Sequence, residues 1–281
     1  MTASKPDTAT LSQDNFQITA FEPTHLDGAL RLSAEAGWPH RTEDWQLALS
    51  VSKGVVALAG GEVVGTALCS PFGDVAAMNM IIVDARMRGR GLGRALMEQV
   101  IAFGGARELR LTATADGLPL YEKLGFAACG KVLQHQGIAQ DATPELPVYT
   151  GDVQDMPALA ALDLQASGLS RAGLLAVIAA QGEVLRCGNG FALLRDFGRG
   201  RVLGPVVGQD VASAAALMAE AARRCAGQFL RVDLPSDAGL SKTATQLGLV
   251  AAGGGVAMKK AAKTRAPSNY KTFALLSQAL G

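Results

Sequence analysis

The alternation of apolar and polar positions divides the chain into short strands and amphipathic helices. Phe16 to Phe21 alternates and predicts a first strand. Helical spacing follows over Leu26 to Ala36 and again over Thr42 to Ser50, with Thr42 expected as the N-cap. Val55 to Leu58 and Val63 to Leu68 flank Gly60-Gly61, a hairpin signal. Ala76 to Val83 reads as an apolar strand. Leu92, Leu96, Val100 and Phe103 then recur at helical spacing. Leu109 to Ala113 predicts a strand, Leu118 to Leu124 a short helix closed by Gly125, and Phe126 to Leu133 another strand.

The order of elements then repeats. The polar stretch Gln134 to Glu145 reads as a linker. After it come helical patterns over Met156 to Ala166 and Ser170 to Gln181. A second hairpin is expected around Gly188-Asn189-Gly190, then a strand from Arg201 to Val207 and a helix from Val211 to Cys225. Leu109 to Leu230 and Gly125 to Gly248 are matched positions, with offsets of 121 and 123 residues. So steady a register predicts two copies of one domain. The expected division is a disordered leader at 1–14, a first domain at 15–136, a linker at 137–145 and a second domain at 146–262. A tail at 263–281 follows, whose apolar end (Phe273, Leu276, Leu280) is expected to dock on the body.

Composition narrows the function. Of 281 residues, 49% are hydrophobic and 18% charged, which is globular. A net charge of +1 argues against nucleic-acid or membrane-surface partners. No apolar leader or long apolar run appears, so a cytoplasmic protein is expected. Four scattered cysteines and three histidines give no metal-binding spacing, and none is expected to hold a metal. Cys69 and Cys129 read as small core residues. His25 and His135 read as structural.

The strongest chemical signal is Arg86-Met-Arg88-Gly89-Arg90-Gly91-Leu92-Gly93-Arg94, between a strand and a helix. Glycines let backbone N–H groups approach a ligand, and a helix N-terminus attracts anions. The combination predicts a phosphate site. A P-loop would need Gly-Lys-Ser/Thr, and a dinucleotide fingerprint would need glycine where Arg94 stands. What remains, Arg88-x-x-Gly91-x-Gly93, resembles the pyrophosphate motif of the GNAT (Gcn5-related N-acetyltransferase) superfamily. Leu120-Tyr121-Glu122-Lys123-Leu124-Gly125-Phe126 is similar to a second segment of that family.

The resemblance implies a good deal. The fold would be α/β (α+β): two tandem GNAT-like domains, each a mixed, mostly antiparallel sheet flanked by helices. Arg88, Gly89, Arg90, Gly91, Leu92, Gly93 and Arg94 would hold the pyrophosphate of acetyl-CoA. Ile81, Ile82 and Val83, on a strand splayed from its neighbour, would bind the pantetheine arm and polarise the thioester carbonyl. Tyr121 would protonate the departing thiolate. Trp38, His40 and Asn79 are candidates for the acceptor side, His40 as a base. The activity implied is direct acetyl transfer to a primary amine, of a small molecule, by a monomer or homodimer. The rival expectation is a non-catalytic acyl-CoA-binding regulatory protein. In the second copy the motif position reads Leu203-Gly204-Pro205-Val206-Val207-Gly208-Gln209-Asp210, without arginine, and Ala244 stands where Tyr121 would be. That copy is expected to bind no CoA and to close one side of the acceptor site.

Overall fold

The computed structural model describes residues 16–281; the leader expected at 1–14 lies outside them. The first half runs β1 (Gln17–Ala20), α1 (Leu26–Glu35), α2 (Thr42–Ser50), β2 (Lys53–Ala59), β3 (Glu62–Phe72) and β4 (Val75–Val83). It continues with α3 (Leu92–Gly104), β5 (Glu108–Ala113), α4 (Leu118–Lys123) and β6 (Ala127–Ile138). The second half repeats the pattern. It comprises β7 (Tyr149–Thr150), α5 (Met156–Ser167), α6 (Ala172–Gln181), β8 (Glu183–Cys187), β9 (Gly190–Phe197), β10 (Gly200–Gly208), α7 (Val211–Arg224), β11 (Phe229–Pro235), α8 (Ser241–Gln246), β12 (Val250–Lys260) and β13 (Lys271–Ala274).

Among the described residues these thirteen strands form one mixed sheet, antiparallel except where β4 meets β5 and β10 meets β11. Its order is β1-β2-β3-β4-β5-β12-β6-β11-β10-β9-β8-β7, with β13 on β10. The two repeats therefore exchange strands. β12, from the second half, lies between β5 and β6 of the first, and β6 carries the sheet on to β11. Neither 15–136 nor 146–262 closes a sheet of its own.

The register explains how β12 tolerates Gly253-Gly254-Gly255. A Cβ on Gly254 would sit 2.0 Å from the Val132 carbonyl oxygen, and one on Gly255 would sit 2.5 Å from that of Ala113. The glycines let three strands approach across a bulge between Ala251 and Gly254.

Three expectations need correction. Gln134–Ile138 is not linker but the continuation of β6: its backbone pairs with β11 from Gln134↔Asp233 to Ile138↔Phe229, so polar side chains are carried on a central strand. Thr42 is not the cap of α2. Arg41 holds that position, and Asp44 accepts its backbone N–H at 2.9 Å. Cys129 is exposed, because the first residues of β6 face solvent, whereas Cys69 is buried.

Helix α3 packs on the first repeat's strands through Leu92, Leu96, Met97 and Val100, all buried. α7 does the same for the second through Leu217, Met218 and Ala221. The apolar tail is part of this core. β13 pairs with β10, Phe273 packs among the α7 residues, and Leu276 and Leu280 pack against α5 and α6. Arg171, itself buried and paired with Asp163 at 2.8 Å, donates to the Leu280 carbonyl at 2.7 Å and fastens the tail's end.

Candidate active site

β4 and β5 run parallel and stay paired only from Val75↔Glu108 to Ala77↔Arg110. Beyond that β5 continues beside β12 while β4 diverges. The divergence coincides with a bulge on β4, where Met80 takes φ +49°, in the left-handed region. Strain of this kind persists where the surroundings enforce it, and here Thr66 Oγ1 donates to the Met80 carbonyl at 2.7 Å. The splay leaves the β5-facing edge of Ile81, Ile82 and Val83 without a strand. All three line a groove of about 940 Å3.

The groove ends at α3. Gly91, at φ +77°, is the N-cap, and no side chain caps the helix. Its first-turn N–H groups and the positive end of its dipole are thus left to an anion. Gly93 is closely packed: a Cβ there would lie 3.3 Å from the Leu120 side chain and 3.6 Å from that of Val83, so Leu120 would have to give slightly. Arg88 and Arg94 are solvent-exposed, with only loose pairing to Asp116 (3.4 Å) and Glu98 (3.5 Å). Arg86 is different. It is tied to Asp84 at 2.6 Å and to Glu62 at 2.9 Å, and the Arg86 hydrogen bonds hold the Asp84 carboxyl down at about 2. Gly89, Gly91, Leu92, Gly93, Arg88 and Arg94 line the same groove.

Tyr121 stands on α4 and is 6% exposed. Burial pushes its hydroxyl up to about 12, so it keeps its proton at neutral pH. Gly117 makes room for it: a Cβ there would meet the ring at 2.8 Å and the hydroxyl at 3.2 Å. Tyr121 lines the groove and also a second, smaller cavity of about 290 Å3, and Ile81, Thr114 and Trp38 are likewise shared by the two.

The smaller cavity gathers all three acceptor-side candidates, Trp38, His40 and Asn79. Asn79 has a fixed orientation. Its Nδ2 donates to the Ala77 carbonyl at 3.2 Å and to Ser70 Oγ at 2.8 Å. Ser70 in turn meets Ser52 at 2.6 Å, and Ser52 donates to the Ala48 carbonyl. The chain of donors leaves Asn79 Oδ1 as a buried acceptor with no partner among the described residues, and the same holds of the buried His40 Nδ1. Burial first, then the positive charges of Arg231 and Arg195, push His40 down to about 4 against the pull of Asp44. His40 is neutral at physiological pH.

The opposite wall comes from the second half of the chain: Phe197, Arg231, Ser277 and Gln278. Phe197 is wedged between Arg195 and Arg231, whose guanidinium carbons lie 5.0 and 5.3 Å from its ring centre. Asp44 links the walls, accepting from Arg41 and from the Gly198 N–H at 3.0 Å. Burial would raise its carboxyl, but these hydrogen bonds outweigh burial and lower it.

A Bacillus subtilis (strain 168) protein described as an uncharacterized N-acetyltransferase, YitH, is 30% identical over 237 residues, 79% of this chain and 83% of that protein. The chain belongs to the GNAT acetyltransferase family. The GNAT family model matches residues 19–126, and a GNAT domain model matches 159–274. Solved structures agree on the fold. A Pyrococcus horikoshii protein assigned to the acetyltransferases superposes with a TM-score of 0.80 at 18% identity, over 99% of this chain and 100% of that one. A GCN5-related N-acetyltransferase from Sphaerobacter thermophilus gives 0.63 at 19% identity, over 87% and 95%.

Within this tandem GNAT fold, the residues that sequence reasoning overlooked are Gly117, Phe197, Arg231, Ser277 and Gln278. Gly117 carried a usable signal, standing four residues before Tyr121 at the entrance to a short helix. The other four lie far along the chain and meet the cavity only through the strand exchange and the docked tail.

Proposed function

We propose that the chain transfers an acetyl group from acetyl-CoA directly to the primary amine of a small acceptor. The observation that carries this reading is Tyr121, a proton-holding phenol at the seam between a long groove and a small cavity. Acetyl-CoA supplies an activated thioester. The groove suits it: free N–H groups and Arg88 and Arg94 for phosphates at one end, and the uncovered edge of Ile81–Val83 for an extended amide-bearing arm. A backbone N–H on that edge is placed to stabilise negative charge developing on the thioester oxygen. Tyr121 holds a proton for the departing sulfur, whose basicity rises in the same dry setting. Asn79 and His40 orient the amine, and no residue is assigned as base. The modest size of the second cavity favours a small molecule over a folded protein surface.

The test is thiol release from acetyl-CoA by the purified chain against a panel of amines, with mass spectrometry of the product. Amine-dependent thiol release with an acetylated amine is the expected result. Tight CoA binding without thiol release for any amine would favour the regulatory, acyl-CoA-binding alternative.

A further inference from the structure

We infer that the acceptor is a small amine carrying an anionic group, a carboxylate or phosphate, seated on Arg231 of the second repeat while its amino group meets Asn79 and His40. The inference rests on the acetyltransferase reading and adds the chemical class of its substrate.

The charge of the smaller cavity is one-sided. Among the described residues Arg231 is the one formally charged side chain lining it, and no carboxylate does. Asp233 lies behind Arg231 and is wholly buried. It is held by Arg231 Nε and Nη2 at 2.9 to 3.2 Å and by Gln278 Nε2 at 2.8 Å, so it cannot turn into the cavity. Around this layer stand Arg195, Arg41 and Asp44. The buried arginines Arg231 and Arg195 stand with two buried aspartates, Asp44 and Asp233, and of these four Arg231 alone lines the cavity, in a setting where screening is weak. The depressed basicity of His40 has the same two arginines among its causes. A di- or polycationic acceptor would meet only repulsion here, with no acid to receive a second ammonium.

The hydrogen-bonding groups sort the same way. Asn79 Oδ1 is a buried acceptor fixed by the serine relay and has no partner, which suits an amine N–H. It lies on β4 two residues before Ile81, where the acyl group would be. Arg231 and Ser277 bring donors to the far wall, while both N–H groups of Gln278 are given to Asp233 and Gln134. The geometry is polarised, with acceptors at the transfer end and a cation with a hydroxyl donor at the other. Gln278 is a positioning residue in this scheme. It bridges Asp233 and Gln134, at 3.1 Å from the latter, and so fixes the Arg231–Asp233 pair from the tail.

The experiment compares kcat/KM for size-matched amines on the full chain: an ω-amino carboxylate, an aminoalkyl phosphate, a neutral alkylamine and a diamine. We expect one of the anionic amines to exceed the neutral one by at least about tenfold, and the diamine to be poorest. The choice between the two anionic arms identifies the anion. In R231M/D233N, which removes the buried pair together, the anionic-to-neutral ratio should fall by about tenfold, with CoA affinity by calorimetry showing an intact fold. Equal or better turnover of the neutral amine or diamine, or an unchanged ratio in the variant, overturns the inference while leaving acetyl transfer standing. If no amine is turned over, calorimetric binding of the four amines in the presence of CoA decides. Selective binding of an anionic amine supports the inference, and binding of the diamine or of none of the four refutes it.

Discussion

In the first repeat β4 parts from β5 after Ala77 and leaves Ile81–Val83 uncovered. In the second, β10 parts from β11 after Leu203, and there β13 lies against β10 from Val206 to Gly208 while the Leu275 N–H donates to the Asp233 carbonyl of β11. The same divergence is open in one copy and filled by the chain's own tail in the other. The helices that follow differ in the same sense. α3 starts on an uncapped glycine, whereas Asp210 caps α7, accepting from the Ser213 N–H at 2.7 Å and placing a carboxylate where a phosphate would need to be. Ala244 holds the position of Tyr121: the Leu249 N–H reaches the Ala244 carbonyl as the Phe126 N–H reaches that of Tyr121. One duplicated frame thus yields an open cleft where the gap stays uncovered and a solid wall where it is plugged. The wall then serves the cleft, because β11 and the tail deliver Arg231 and Gln278 to the neighbouring cavity.

The largest effect should come from removing the plug. Phe273 is buried among the α7 residues, so Phe273→Ala should cost about 3 kcal/mol or more of stability in denaturant unfolding. It should not open a second CoA site, since Asp210 remains; two CoA per chain by calorimetry would break the comparison. Next is Tyr121→Phe, which keeps the ring against Phe126 (6.2 Å between centres) and removes the hydroxyl. A fall in kcat of about 10²-fold is expected, with CoA affinity little changed. Restoring the phenol in the other copy by Ala244→Tyr should give no activity to a Tyr121→Phe background. Gly91→Val should weaken CoA about tenfold by calorimetry, because a branched side chain at φ +77° both strains the cap and blocks backbone approach to phosphate.

The smallest effect concerns the shared cavity. His40 is depressed to about 4 in the fold and titrates near ~6.5 when unfolded. Between those values the unfolded chain binds the extra proton, so stability is full above pH ~6.5 and falls as pH drops toward 4. Relative to His40→Gln, the wild type should lose about 1 kcal/mol more between pH 7.5 and 5.5. Parallel curves for the two proteins would show that His40 is not buried in a positive field.

Local structure was legible in the sequence, and non-local geometry was not. The strand–turn–helix setting of Arg88–Arg94 and the Gly60-Gly61 hairpin depend on neighbours a few residues away and appear where the spacing put them; of the α3 positions Leu92, Leu96 and Val100 are buried, while Phe103, near the end of the helix, is exposed. The exchange of β6 and β12 depends on which strand fits between which others. Gly253-Gly254-Gly255, which weakens β12 as a strand by composition, is what allows it to insert. Polar Gln134 and Gln136 hid the end of β6 for a related reason: they face each other at 2.8 Å on a central strand rather than marking a solvent-exposed link. Of the smaller cavity, Trp38, His40 and Asn79 were nameable because they stand on the first repeat. Arg231 was visible only as the counterpart of Arg110, and its place beside the cavity required the fold.

The strand exchange also orders events in time as the chain leaves the ribosome. The slot between β5 and β6 is filled by residues that come after nearly the whole second repeat, since Ala113 pairs with Val256 and Val132 with Gly255. At typical synthesis rates the first half waits on the order of 10 s with one edge of β5 and both edges of β6 unpaired. During that interval it has its glycine-rich turn but not the far wall of the smaller cavity. A nascent chain stalled before residue 250 should be a substrate for chaperones that shield exposed strands, and it should become protease-resistant in a single step once β12 and the tail emerge.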